Sequence, residues 1–319
     1  MSSATSPTPR CSIVIRAYNE EKHLPALLDR IQAQSVQPVE TILVDSGSTD
    51  DTLAIAGRYP VKIVHIKPGD FTFGRSLNKG IAAASAPIAV LASAHVLPFD
   101  ERWLEHLLAP FADEQVALSY GMQRGGAESE FSEDQHWQRW FPEHSDWDQP
   151  HPYCNNANAA ILRSLWQQQP YDEDLTGLED LAWASWAKHE GYKVAYVAEA
   201  GVTHIHEENA AQIVNRHRRE AVALKSILPQ SHFTLLNFLG MFVRRTLGDW
   251  RAALRQGAFL QQAGPALRFR LLQYWGTYRG YQEAGRMTPA MQQVFYYPPS
   301  VLETRRRNDQ ADCETETAR

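Results

Sequence analysis

Three short stretches carry side chains able to handle charge and protons. Ser93-Ala94-His95 closes an apolar run that begins at Ile88 (IAVLASAH). Such a run suits a strand buried on both faces, and in open α/β sheets ligands sit at the carboxyl ends of strands. An imidazole at that tip is a site candidate, with a surface histidine as the plain alternative. Glu179-Asp180 opens a helical stretch after Thr176-Gly177. A carboxylate there can cap the helix, or it can take the proton from an attacking hydroxyl. Thr203-His204-Ile205-His206 sets two imidazoles on an extended segment, one expected to face a pocket and the other to face away. Asp45 ends another β-branched run, where an acid can accept hydrogen bonds from a nucleobase or ribose; the plain reading is a charge at a helix start.

Those residues need elements to hold them. Ser12 to Arg16 and Thr41 to Asp45 read as strands, and Leu24, Leu27, Leu28 and Ile31 recur at helical spacing between them. Within Ser46 to Asp51 a Ser or Thr cap and acidic residues start a helix that runs through Tyr59. Val61 to Ile66 reads as a third strand and Gly74 to Ala84 as another helix before the strand from Ile88. Pro98 is expected to stop that strand. Strand and helix in alternation predict a doubly wound, mostly parallel α/β sheet. Trp103 to Phe111 then reads as helix and Val116 to Gly121 as strand. From Gln123 to Tyr153 no period is visible, as in a functional lid, and Trp137, Trp140 and Trp147 there could stack on sugars or pack the lid. Glu179 to Glu190 is expected as a helix and Val194 to Val197 as the last core strand. Helical patterns over 210–227, 234–262 and 265–285 follow, rich in arginine. The expected organisation is a polar terminus at 1–10, a catalytic domain at 11–208, a basic helical extension at 209–302 and a disordered tail at 303–319.

A formal net charge of −6 argues against nucleic acid as a partner. Cys11, Cys154 and Cys313 form no C-x-x-C pair, so neither a disulfide framework nor a zinc site is expected. Residues 1–10 lack the apolar core of a secretory signal, and the apolar run at 235–243 is broken by Asn237 and Gly240. A cytoplasmic protein is the expectation. The basic helices could pack on the domain, pair two copies, or rest on the inner face of a membrane.

Two segments, SIVIRAYNE (Ser12 to Glu20) and ILVDSGSTD (Ile42 to Asp50), resemble the first two βα units of the family 2 glycosyltransferases. Gly177-Leu178-Glu179-Asp180 resembles the acidic motif of the same enzymes, and FGRSLNKG (Phe73 to Gly80) their Arg- and Asn-bearing segment beside the nucleotide. The resemblance runs over roughly the first two-thirds of the chain and implies the GT-A nucleotide-sugar fold. It further implies that Asp45 contacts the base in a pocket with Ala17, Tyr18 and Glu20, and that Arg75 and Asn78 lie by the diphosphate. Asn155 or Asn156 would meet the donor sugar or acceptor, although an Asx turn explains them as well. Asp180 would be the base of an inverting displacement, with Glu179 orienting donor or acceptor. A histidine near the metal or diphosphate is implied at His204, leaving His206 to packing. Arg216, Arg218 and Arg219 follow closely enough to reach a diphosphate.

Ser93-Ala94-His95 stands where the family carries its D-x-D metal motif, and here the sequence departs from the pattern. Serine brings no charge, and imidazole is softer than the carboxylates that hold Mg²⁺. Either His95 and His204 hold a divalent cation such as Mn²⁺, or these histidines and arginines neutralise the diphosphate themselves. A UDP-sugar and a hydroxyl acceptor are the expected substrates. The competing classes are a degenerate member that only binds nucleotide and, further off, a sugar nucleotidyltransferase. The latter would want a Gly-rich basic loop where the acidic Asn19-Glu20-Glu21 stands.

Overall fold

The computed structural model describes residues 9–126, 129–206, 208–283, 291, 295 and 296. The expected tail at 303–319 and nearly all of the N-terminal segment lie outside them. Four strands, β1 (Ser12–Ala17), β2 (Glu40–Asp45), β3 (Val61–His65) and β4 (Ile88–Ser93), pair in parallel in the order β3-β2-β1-β4. Their connections carry α1 (Leu24–Gln32), α2 (Thr52–Ala56) and α3 (Phe73–Ala82). Alternate residues feed two cores. Val14, Val44 and Leu91 pack under Leu77 and Ile81 of α3. Ile13, Ile15 and Val90 pack on the opposite side against Leu24, Leu27, Leu28 and Ile31 of α1. Burial on both faces is why these strands read as unbroken apolar runs.

After β4 the chain turns at Ala94-His95 and resumes as β5 (Val96–Pro98), which pairs antiparallel with the end of β8 (Lys193–His204). Pro98 therefore does not stop the chain from pairing, because β5 is the edge of the sheet, where a missing N–H goes unmissed. β6 (Val116–Gly125) and β7 (Asn158–Leu162) complete the order β3-β2-β1-β4-β7-β6-β8-β5, a mixed sheet with α4 (Trp103–Leu108), α6 (Arg163–Gln168) and α7 (Glu179–His189) around it. β8 runs well beyond the predicted Val194–Val197; exposed Glu199 and then Gly201 hide its continuation.

The stretch expected to lack order contains the end of β6 and a helix, α5 (Phe131–Trp140). The helix expected to start within Ser46 to Asp51 and run through Tyr59 is the shorter α2, with Asp51 at its start, because Asp45 to Asp51 forms a turn with Gly47 at φ 93°. At the C-terminal end come α8 (Ala210–Ile227), α9 (Leu235–Arg255) and α10 (Phe259–Gln282). The break between the last two falls at Gly257 (φ 68°), not before Pro265. Glycine takes the left-handed backbone just past a helix end at little cost, so it outcompetes proline as the stop. Pro265 lies inside α10 and forgoes one helical hydrogen bond. Among the described residues no helix is long and apolar enough to cross a membrane.

Asn158 shows how the halves are fastened. Its Nδ2 donates to the carbonyls of Met122 (3.1 Å) and Ala200 (2.8 Å), and its Oδ1 accepts from Trp103 Nε1 at 2.8 Å. All of this is fully buried. Asn158→Ala orphans those groups, and we expect it to lower the unfolding free energy by about 3 kcal/mol, read from a urea transition.

Candidate active site

A cleft of about 670 Å³ opens where the carboxyl ends of β1, β4 and β8 meet α7, α8 and α10. Its most unusual wall is built of imidazoles. His95 follows β4 and His204 ends β8, and the pairing of Val96 with His204 sets their rings 5.1 Å apart and nearly parallel. His206 was expected to face away. It does not: residues two apart on an extended chain share a face, so the geometry that aims His204 at the cleft aims His206 there as well. The Nε2 atoms of His204 and His206 approach to 3.1 Å, and one nitrogen from each of His95, His204 and His206 lies within 4.8 Å of the others.

Each ring is oriented from behind. His95 Nδ1 bonds Glu20 Oε1 at 2.7 Å, His204 Nδ1 bonds Gln123 Oε1 at 2.7 Å, and His206 Nδ1 bonds Glu133 Oε1 at 2.8 Å. With Nδ1–H donating in every case, the Nε2 lone pairs are left for a ligand, the arrangement that metal-binding histidines use. Burial pushes the His204 imidazole far below its ordinary value, helped by His206 and His95, so it stands neutral. Burial alone would raise Glu133, but Arg216 Nη2 at 2.8 Å and His206 more than offset this and hold its carboxyl at about 2. Glu133, His206 and Glu208 form an overlapping cluster of the same dimensions. Three imidazoles with a nearby carboxylate fit a divalent transition ion better than Mg²⁺.

Facing this wall is the acidic pair. It starts at Leu178, whose φ of 56° is uncommon for a bulky side chain and marks a constrained turn. Asp180 is half-buried. Its Oδ2 accepts from the Asn156 N–H (3.1 Å) and its Oδ1 from the Leu181 N–H (2.8 Å). Burial, and then the adjacent Glu179 carboxylate, push it up to about 7. Glu179 has Arg16 Nη1 at 3.9 Å and Asn156 Nδ2 at 3.5 Å. Among the described residues Arg16 Nε and Nη1 and Arg219 Nε are buried without hydrogen-bond partners, and both guanidinium groups lie over the Phe73 ring, at 4.9 and 4.6 Å. These cations on the cleft wall favour an anionic ligand.

The cleft gathers Glu20, Ser93, His95, Asn155, Asn156, Glu179, Asp180 and His204 from the sequence-derived candidates. Asn155 Oδ1 accepts from the Ala157 N–H at 2.9 Å, the Asx-turn reading, whereas Asn156 supports both acids. Ala94 is buried in the turn, and Ala17 in the core beneath; neither they nor Tyr18 line the cleft. Asp45 is buried, and its carboxylate accepts from the Gly47 and Ser48 N–H groups, both at 3.0 Å, so it caps its own turn. Arg75 and Asn78 are placed elsewhere: Arg75 Nε pairs with Glu173 at 2.6 Å, and Asn78 bonds Tyr171, Trp166 and Glu173. They fasten α3 to that segment.

Arg216 and Arg219 reach the cleft, but Arg218 pairs with Glu283. Trp137 stacks on His204 with centroids 6.0 Å apart, Trp140 stacks on Tyr153, and Trp147 is exposed. Sequence reasoning missed Arg16, Gln123, Glu133 and Glu208. Arg16 did leave a signal, as the one charge in an otherwise apolar strand.

A family model described as glycosyl transferase family 2 matches residues 12–167. The chain is 28% identical over 228 residues to the O-antigen chain rhamnosyltransferase WbaN of Salmonella anatum, spanning 66% of this chain and 70% of that protein. Mannosyltransferase PcManGT from Pyrobaculum calidifontis, solved with GDP-Man and Mn²⁺, is similar with a TM-score of 0.60 at 18% identity, over 92% of this chain and 89% of that one. Glucosyl-3-phosphoglycerate synthase from Mycobacterium tuberculosis, solved with Mn²⁺, UDP-glucose and phosphoglyceric acid, gives a TM-score of 0.53 at 18% identity, over 70% and 81%. At such identities the structures speak for the fold.

Proposed function

Because the chain belongs to the family 2 glycosyltransferases and has their GT-A fold, we propose that it transfers a sugar from a nucleoside diphosphate donor to an acceptor hydroxyl with inversion, Asp180 acting as base. The observation that carries this reading is the opposition, across one cleft, of a carboxyl raised to about 7 and a convergent set of imidazoles and arginines. The acceptor oxygen attacks the anomeric carbon while its proton passes to Asp180. The bond from that carbon to the diphosphate oxygen breaks, and the electron pair leaves with the nucleoside diphosphate. Glu179 and Asn156 hold Asp180 and the acceptor in line, and Arg16 and Arg219 balance the departing charge.

His95, His204 and His206 would hold a divalent cation, which when bound supplies further positive charge beside the diphosphate. Mn²⁺ is the first ion to test, since structurally similar proteins carry it. Exhaustive chelation is expected to abolish transfer and added Mn²⁺ to restore it. Glu133→Gln weakens the orientation of His206 and should reduce Mn²⁺ affinity by about 10–100-fold in calorimetry.

In this reading residues 11–208 carry the reaction, and the helices from 209 close one side of the cleft. A base-clamping role for Asp45 would require its turn to exchange the two backbone bonds for the nucleotide. A thermal-shift panel of UDP-, GDP- and dTDP-sugars, followed by donor hydrolysis and transfer assays, tests the proposal, with UDP-sugars first. Binding with neither hydrolysis nor transfer across the panel would overturn it in favour of a nucleotide-binding protein without catalysis.

A further inference from the structure

The α9–α10 hairpin shows an apolar face that the described chain leaves uncovered. Leu236, Leu239, Val243, Leu247 and Leu254 of α9 follow one another at three-, four- and seven-residue steps and are all exposed, Leu236 by 80% and Leu254 by 61%. On α10, Leu267, Leu271 and Trp275 are exposed with the same spacing. Among the described residues nothing covers this face, and apolar residues so regular and so open mark a contact surface.

Charge identifies what covers this face. From Leu235 to Gln282 the charged residues are seven arginines and Asp249, with no lysine or glutamate, although the whole chain carries −6. Asp249 is buried against Arg270. Arg244, Arg251 and Arg255 are exposed, and at about 100° per residue they flank one side of the α9 stripe. A second copy of this chain is a poor occupant, since a two-fold contact sets the same patch against itself and arginine against arginine. Neither helix can span a bilayer. A helix with an apolar stripe and arginines beside it lies in the interface instead, its leucines among acyl chains and its guanidinium groups at anionic headgroups.

We propose that the outer face of α9 and α10 is a docking surface for an anionic lipid bilayer. The inner face of α10 presents Phe269 and Gln273 to the cleft, while Leu267, Leu271 and Trp275 lie on the opposite side of the same helix. Docking therefore holds the cleft about one helix diameter, ~10 Å, from the headgroups. The surface does not depend on the transfer reaction, so its test can fail while the reaction stands.

Flotation of the full chain with vesicles of phosphatidylcholine alone, or of phosphatidylcholine with phosphatidylglycerol, reads it directly. Binding is expected on the anionic vesicles only, weakening as salt rises. Arg244→Gln, Arg251→Gln and Arg255→Gln together should cut the partition by about a hundredfold, and Leu236→Ser, Val243→Ser and Leu247→Ser together should remove it. Both variants should keep the wild-type melting temperature and turnover of a water-soluble acceptor, because none of these residues touches the cleft. Absence of binding to anionic vesicles, or equal flotation of wild type and variants, overturns the proposal. So does sedimentation showing a dimer that the serine variant dissolves, with no vesicle binding.

Discussion

Asp180→Asn is expected to lower the transfer rate by about 10²–10⁴-fold while leaving donor affinity nearly unchanged. The amide keeps the size of the side chain, but its single oxygen can accept from only one of the Asn156 and Leu181 N–H groups, and it cannot take a proton. Single-turnover transfer and calorimetric titration of donor separate the two quantities, and wild-type-like turnover would remove Asp180 as the base.

The pH profile supplies an independent check. A base works in its deprotonated form, and burial with the Glu179 charge raises this one to about 7. The kcat/KM should therefore rise tenfold per pH unit below about 7 and level off above it. Glu179→Gln removes the negative neighbour that favours the protonated form, so the break should move to lower pH, whatever happens to the maximal rate. A break that stays in place or moves upward contradicts this assignment.

The largest expected loss of stability lies away from the cleft. Arg270 Nε and Nη2 grip both oxygens of Asp249 at 2.8 and 3.0 Å, with Ser132 Oγ donating to the same carboxylate at 2.6 Å. Arg270 and Asp249 are almost completely buried. Asp249→Ala leaves a guanidinium in the interior without its counter-charge, which costs about 3–5 kcal/mol. Replacing both partners by apolar residues of similar volume, Asp249→Leu with Arg270→Met, should recover most of it, because no charge is then stranded. Urea unfolding of the three proteins decides this. The network also holds α5, in which Ser132 adjoins Glu133, the residue that orients His206. Asp249→Ala should accordingly loosen cation binding even at temperatures where the protein stays folded.

How much of this was legible depended on whether the forces on a residue were local. β1 to β4 declared themselves because strands buried on both faces admit almost nothing polar. α5 did not: its acids look like a solvated surface until His206, and Arg216 of α8, more than seventy residues later, pair with Glu133, and Arg268 of α10 approaches Glu130. Glu133 was invisible for the same reason. His206 was misjudged because residues two apart on an extended chain share a face, whereas the expectation pointed them opposite ways. Arg75 and Asn78 occupy the expected positions, but their contacts are decided by Glu173 and Tyr171, which no motif around α3 mentions. The acidic pair at 179–180 was found because its neighbours in the chain were enough to mark it.

β5 is a strand of three residues at the outer margin of the sheet, and its short ladder, extended by the Ile205 N–H to the His95 carbonyl at 3.1 Å, registers the β4 turn against the end of β8. Marginal ladders breathe more readily than interior ones. The spacing of the His95 and His204 rings is thus entrusted to the least protected rungs of the sheet, and a melting curve dominated by the parallel core would scarcely record its loss.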